Sequence, residues 1–318
     1  MLFVIVRAKN SIVVFSKRST QGLKQSAQYL FEYLSLEFDV NLVFEDQLQS
    51  VELYQIDSDA VVIVHDFVSF PIEKYKSHFK NSFYYFVPGK LHLDHYAFYS
   101  HYDGILCPYR DIILPEWEVD TKVIRWCYDL ERLHKKVQDT HLEEYKKRRD
   151  ELLFVGRIFS DKLSYQFLEE FVERGHRIVI VGDFLIEQTK EDILLKELIL
   201  DHTNIFYRES APHENILKLM GEFKATILPS NIDIFSLASL ESIYCGNIPI
   251  FLQRKHLSYI WKVEESLSCP DVISLIDCYE DFLAKDDLEK LELRNRHLTQ
   301  VQMKMSEISS LEIIHSLF

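Results

Sequence analysis

Short apolar runs that stop at Gly, Pro or a polar cluster alternate along this chain with longer stretches of helical spacing, and that alternation constrains its fold more than any other feature. In the second half the runs are "ELLFVGRIF", "HRIVIVGDF", "TNIFYRE", "KATILPS" and "NIPIFL". Between them lie "LSYQFLEEFVERG", "EDILLKELILDH", "HENILKLMGEF" and "DIFSLASLESIYCG", each with apolar residues at helical intervals. Such intervals are crossover lengths, so successive strands are expected to run parallel. The first half follows the same grammar. "LFVIV", "SIVVFS", "DVNLVF", "AVVIVHDF", "NSFYYFVPGK" and "YDGILCPY" are strand candidates, and "QGLKQSAQYLFEYLSLEF" is a helix candidate. A continuous run such as "AVVIV" fits a strand covered on both faces. The expected class is α/β, with two Rossmann-like doubly wound parallel sheets whose ligands bind at the carboxyl ends of the strands.

A length of 318 residues suits two domains of ordinary size. The polar stretch "LERLHKKVQDTHLEEYKKRRD" separates the two series. We place the domains at residues 1–140 and 151–300, with a connector at 141–150 and a last helix at 301–318. No apolar run approaches the roughly 20 residues needed to cross a bilayer. In "MLFVIVRAKN" the basic residues follow the apolar run, the reverse of a secretory signal. Five scattered cysteines (107, 127, 245, 269 and 278) include no Cys-x-x-Cys pair, so a reducing cytoplasm is the simplest setting.

The net charge of −14 argues against general nucleic-acid binding. It is unevenly divided: residues 1–150 hold 19 Lys and Arg against 22 Asp and Glu, the rest 17 against 28. The run Lys146, Lys147, Arg148, Arg149 reads first as a solvated helix face and would also suit peripheral contact with an anionic surface such as a membrane.

Several strand ends carry residues suited to a phosphorylated ligand. In "LLFVGRIFSDK", Gly156 permits close approach, and Arg157 and Lys162 can neutralise phosphate; an ordinary turn with two solvated cations has the same spelling. "VGDF" places Gly182 and Asp183 at the next strand end, where Gly-Asp is also common turn chemistry. In "PSNIDIFSLASLE", residues 236 to 238 would open a helix whose amides and dipole can seat a phosphate. Glu241, one to two turns in, could accept from ribose hydroxyls. "DSD" (Asp57 to Asp59) resembles a metal-binding acid pair in spelling, but it precedes a strand and reads as a loop.

Taken in order, "LLFVGR…K", "VGD", "LPS" and Asp-x-Phe-Ser-x4-Glu before "CGNIPIF" resemble the GT-B glycosyltransferases, two Rossmann-like domains facing a cleft. More narrowly the set is similar to the large retaining branch with a Glu-x7-Glu pair. The resemblance covers residues 150–252 well and the remainder loosely. It implies that Arg157 and Lys162 bind the donor diphosphate and that Asp233 and Glu241 are the paired acids, near the donor sugar and the ribose respectively. Phe235, Ser236 and Leu237 would form the turn whose amides face phosphate, and Tyr207 and Arg208 would lie at the nucleobase edge. Gly22 would open the first-domain helix. A first-domain histidine near the reacting carbon would be His92 or His95, with His65 as a third candidate; the competing reading of each is a plain polar or partly buried histidine. In related enzymes the last helix, here 301–318, crosses back to the first domain. The sequence departs from the pattern at Asp233 (for Glu), Ser236 and Leu163 (each for Gly), and at "VIRWCYD".

The resemblance implies a retaining transferase that moves a sugar from a nucleotide-sugar to a glycan or lipid-linked acceptor in surface-polysaccharide assembly, with neither metal nor other cofactor. A catalytically inactive binding or regulatory subunit on the same fold is the alternative, and a nucleotide-sugar epimerase a third.

Overall fold

The computed structural model describes residues 10–17, 21–48, 55–67, 69–86, 99–107, 120–123, 141–185, 189–230, 236–253, 267–306 and 314–318. The chain divides into two compact units, Met1–Asp129 with Met305–Phe318, and Leu130–Lys304. Among the described residues no helix is long and apolar enough to cross a membrane.

The first unit is built on strands β1 (Ser11–Ser16), β2 (Asp39–Phe44), β3 (Val61–His65), β4 (Phe83–Phe86), β5 (Gly104–Cys107) and β6 (Thr121–Val123). Their order is β2-β1-β3-β4-β5-β6, and every pair is parallel. Every residue of β3 is buried, as the uninterrupted "VVIV" requires of a central strand. Helix α1 (Gln21–Leu34) makes the first crossover and buries Ala27, Leu30 and Leu34 against the sheet. Beyond β3, helix α2 (Ile72–Lys76) brings Tyr75 within 5.2 Å of the Phe15 ring, and Phe70 lies 4.9 Å from it. "DSD" forms a turn: the Asp59 amide donates to Asp57 Oδ1 at 2.9 Å, and Lys80 pairs with Asp59. The end of the chain belongs to this unit, with Phe318 stacked on Phe38 at 5.6 Å and His315 beside the same ring. The opening "LFVIV" lies outside the described residues.

The second unit has strands β7 (Arg149–Val155), β8 (Ile178–Val181), β9 (Ile205–Arg208), β10 (Phe223–Leu228), β11 (Ile248–Leu252) and β12 (Leu267–Cys269). Its order, β9-β8-β7-β10-β11-β12, is 3-2-1-4-5-6 counted from β7, again wholly parallel. That order makes β7 and β10 the topological switch point, where the crossovers turn to opposite sides and the strand ends splay into a crevice. The helices are α3 (Leu142–Tyr145), α4 (Tyr165–Glu173), α5 (Lys190–Asp201), α6 (His213–Met220), α7 (Leu237–Tyr244), α8 (Val272–Ala284) and α9 (Asp287–Ser306). One face of the sheet is covered by α4, α5 and α8 through Phe167, Phe171, Leu195, Ile199, Leu275 and Ile276. The other is covered by α6 through Ile216, Leu219 and Met220.

The basic run at 146–149 does not act as one face. Lys146 and Lys147 are exposed, whereas Arg148 turns inward and Arg149 begins β7 beside Glu151. Arg148 Nη1 donates to the carbonyls of Cys245 at 2.9 Å and Gly246 at 2.8 Å, so a guanidinium serves the carboxyl end of α7. Lys224, inside β10, is held by Asp150 at 3.1 Å and Asp287 at 2.6 Å, which ties α9 to the amino-terminal edge of the sheet.

Candidate nucleotide-sugar site in the second unit

The carboxyl ends of β7 and β8 are level, because their register pairs Val155 with Val181. One residue further on, Gly156 and Gly182 lie against each other. A Cβ on Gly182 would sit 1.8 Å from the Gly156 carbonyl oxygen, so no other residue fits without parting the strands. Gly156 donates its amide to Val181 O at 3.0 Å, and Gly182 donates to Arg208 O at 3.1 Å. The ladder thus continues through both glycines and delivers the two following loops side by side. The Ile158 amide then meets Asp183 O at 2.9 Å, and the Leu185 amide returns to Ile158 O at 3.1 Å.

The loop after β7 carries Arg157 and Lys162, and it is anchored along its length. The Ser160 amide donates to Asp192 Oδ1 at 2.8 Å, where Asp192 also closes the capping box of α5 with Thr189. Residues 159 to 163 make one helical turn, with the amides of Lys162 and Leu163 both directed to Phe159 O. Leu163 is fully buried among the core residues of α4 and β7, so a glycine there would leave a cavity. Arg157 is exposed, its guanidinium 5.9 Å from the Phe159 ring.

Across the switch point, Ser230 Oγ donates to Asp161 O at 3.4 Å and links the loop after β10 to the loop after β7. Asp233 and Phe235 lie outside the described residues. Ser236 is the N-cap of α7, its Oγ accepting from the Ser239 amide at 3.1 Å. An N-cap of this kind satisfies the third helical amide, while those of Leu237 and Ala238 have no partner within a helix. On the inner side of α7, Ser242 Oγ lies 2.6 Å from Thr226 Oγ1, so small residues let the helix lie close on β10.

Glu241 is only 6 % exposed. Its Oε1 accepts from His213 Nε2 at 2.8 Å, and His213 is the first residue of α6. The loop that precedes α6 is pinned at its other side: the Ser210 amide donates to Asp183 Oδ1 at 3.1 Å and Ser210 Oγ to Oδ2 at 2.6 Å. Two carboxylates, one from the loop after β8 and one from α7, therefore hold the β9–α6 loop between them. Tyr207 and Arg208 end β9 beside this loop, the Tyr207 ring 5.0 Å from Phe184. Burial, with Glu209 and Asp183 nearby, raises the Tyr207 phenol above its ordinary range and keeps it protonated.

In the first unit Gly22 is the second residue of α1. His92 and His95 lie outside the described residues. His65 ends β3 at that sheet's switch point, but it is wholly buried. Its Nδ1 lies 3.1 Å from Ser16 Oγ and its Nε2 2.7 Å from Ser26 Oγ, and its ring stacks on Phe86 at 5.3 Å. Burial pushes its imidazole down to about 3, so it is a neutral tie between β1, β3 and α1. The sequence analysis missed His213 and Ser210, and it quoted Ser230 within "LPS" without giving it a role. Of the two missed, only His213 carried a local signal, in "APHENIL", a proline followed by a helix opening.

No family model matches the chain, and no curated protein does. Solved structures do. A trehalose-6-phosphate protein from E. coli bound with UDP-2-fluoro glucose is 11% identical with a TM-score of 0.66, over 97% of this chain and 99% of that one. An α,α-trehalose-phosphate synthase (UDP-forming) from Burkholderia vietnamiensis is 12% identical with a TM-score of 0.63, over 94% and 95%. An α-glucosyltransferase in complex with UDP is 14% identical with a TM-score of 0.64, over 95% and 96%. With its two parallel six-stranded sheets, this chain has the GT-B fold of these glycosyltransferases.

Proposed function

We propose that the chain is a nucleotide-sugar-dependent glycosyltransferase whose donor binds at the switch point of the second sheet. One observation carries this reading: the Gly156–Gly182 contact, the loop of Arg157 and Lys162, and the start of α7 all lie at the carboxyl edge around β7 and β10. In that arrangement the two glycines bring the loops after β7 and β8 side by side, and the α7 amides face the diphosphate. Arg157 and Lys162 take up the charge that grows on the leaving phosphate, in place of a metal ion. Glu241 accepts from the ribose hydroxyls, and Tyr207 and Arg208 flank the base. The family resemblance assigns Asp233 to the donor sugar and a first-domain histidine, His92 or His95, to the reacting carbon.

The reaction is a front-face substitution with retention, in which the departing phosphate assists the incoming hydroxyl. One structural neighbour is described in terms of glycosyl transfer with retention, which supports that course. One neighbour on this fold is held with UDP-glucose and DNA containing an abasic site. A net charge of −14 disfavours DNA here, and a glycan or lipid-linked acceptor of a surface-polysaccharide pathway fits better. The exposed pair Lys146 and Lys147 suits peripheral contact with the inner membrane face.

A thermal-shift screen of UDP-, GDP-, ADP- and CMP-sugars tests the donor, since a ligand bound to the folded state raises the midpoint. One nucleotide class is expected to stand out. Arg157→Ala should then lower transfer turnover about 10–100-fold with acceptor binding unchanged. Full turnover in that variant would remove the diphosphate assignment. The departures at Asp233, Ser236 and Leu163 give weight to a second reading, a non-catalytic subunit of a glycan-assembly complex. Tight nucleotide binding without transfer or hydrolysis of any donor would select it.

A further inference from the structure

The partner of Glu241 carries an inference of its own, which rests on the donor site proposed above. A carboxylate that tells a ribose from a deoxyribose must present an oxygen to the 2′-hydroxyl in a fixed direction. A glutamate has three side-chain torsions with which to lose that direction. Here Oε1 is held by His213 Nε2 at 2.8 Å, with the acid 8% and the histidine 20% exposed at their side chains. Two polar side chains so little exposed form a stronger hydrogen bond than solvated ones would, because water competes poorly for either.

His213 is fixed in turn. It is the first residue of α6, and the loop leading to it is clamped by Ser210 on both oxygens of Asp183. Asp183 follows Gly182 directly, and the Asp183 carbonyl takes the Ile158 amide of the loop that carries Arg157. Hydrogen bonds thus tie the diphosphate loop to the β8 loop and the β8 loop to Ser210, and three residues further along the chain His213 meets the acid on α7.

We propose that His213 is a positioning residue for the nucleoside: by holding Glu241 Oε1 it aims the carboxylate at the ribose and makes the site select ribonucleotides over 2′-deoxyribonucleotides. His213 does not itself touch the ligand, so its loss should weaken binding only where the 2′-hydroxyl is present. A site built around a hydroxyl rejects the analogue that lacks it, because the acid is then left without its partner.

The test is isothermal titration with UDP, GDP and ADP and with their 2′-deoxy counterparts, on the full chain and on His213→Ala, His213→Gln and Glu241→Gln. The natural protein is expected to prefer the ribonucleotide of its own base about tenfold. His213→Ala should bring that preference to within about twofold with affinity for the deoxynucleotide unchanged, an effect that general loosening of the fold would not give. His213→Gln, whose amide can reach the same oxygen, should restore most of the preference. Retention of the full tenfold preference in His213→Ala overturns the proposal. Glu241→Gln separates this from the reading beneath it: if that variant also keeps the preference, the ribose assignment of Glu241 is wrong. If no nucleotide binds the natural protein, the donor site as a whole is wrong.

Discussion

Ser236 shows how one side chain can depart from a family pattern at little cost. Its hydroxyl caps α7 by accepting from the Ser239 amide, and it is nearly buried while doing so. Glycine, the residue that the family resemblance places there, is itself a tolerated N-cap, whereas alanine can neither accept nor relax the backbone. Ser236→Ala should therefore cost about 1 kcal/mol and Ser236→Gly only a few tenths, measured by urea denaturation at neutral pH. An equal loss in both variants would mean that the hydroxyl does something other than cap the helix. At this scale the sequence was partly legible. Gly156, Gly182, Ser236 and Glu241 announced themselves because strand ends, turns and helix starts have local spellings. The partners of those residues did not. His213 meets Glu241 across 28 positions, Ser210 meets Asp183 across 27, and Ser230 meets Asp161 across 69. Only the sheet order brings them together. His65 was legible as a strand-ending histidine with a buried role among its readings, but its partners were not, since Ser16 and Ser26 reach it from two other elements.

Among the elements, β7 and β8 depend on each other through a single close approach. The sequence spelled both strands as apolar runs ending in Gly, and their register follows from keeping the two glycines level. A methyl group on Gly182 would lie 1.8 Å from the Gly156 oxygen and 2.8 Å from its carbonyl carbon, so backbone rather than a flexible side chain must give way. Its φ of +156° adds strain for any L side chain. Gly182→Ala should thus destabilise the second unit by about 3 kcal/mol and separate the loops of Arg157 and Asp183. Chemical denaturation reads the first effect and nucleotide affinity the second. A variant with unchanged stability would show that the strand ends are not in contact. Gly175, where an added Cβ meets nothing within 4 Å, is the natural control in the same unit. It has φ +84°, so alanine there reports backbone strain alone. Elements the sequence analysis passed over, β6 and β12, are three-residue edge strands. Runs that short carry no periodicity, and only pairing with β5 and β11 defines them.

For the whole molecule, the two units each contain a histidine that burial keeps neutral. His65 in the first is held down to about 3, and His297, wholly buried in α9 of the second, to about 4. An unfolded histidine titrates near 6.5. Between that value and the depressed one the unfolded chain binds a proton that the folded chain refuses, so folding is opposed there. The contribution to stability is complete above about pH 6.5 and is lost as pH falls towards 3 or 4, at about 1.4 kcal/mol per pH unit for each histidine. Relief of repulsion acts in the opposite direction, because a chain of net charge −14 loses negative charge as its carboxylates protonate. Ordinary carboxylates titrate near 4, so between pH 6.5 and 5 the histidines govern the slope. Both units should therefore lose stability over that interval, about 2 kcal/mol each, an outcome that hydrogen exchange can follow separately in peptides from β1 and β3 and in peptides from β10 and α9. His65→Gln should flatten the acid dependence in the first set and leave the second unchanged. The difference should appear in the slope with pH, whatever the substitution costs at pH 7. A slope in the first unit that survives the replacement would assign its acid sensitivity to groups other than the buried imidazole.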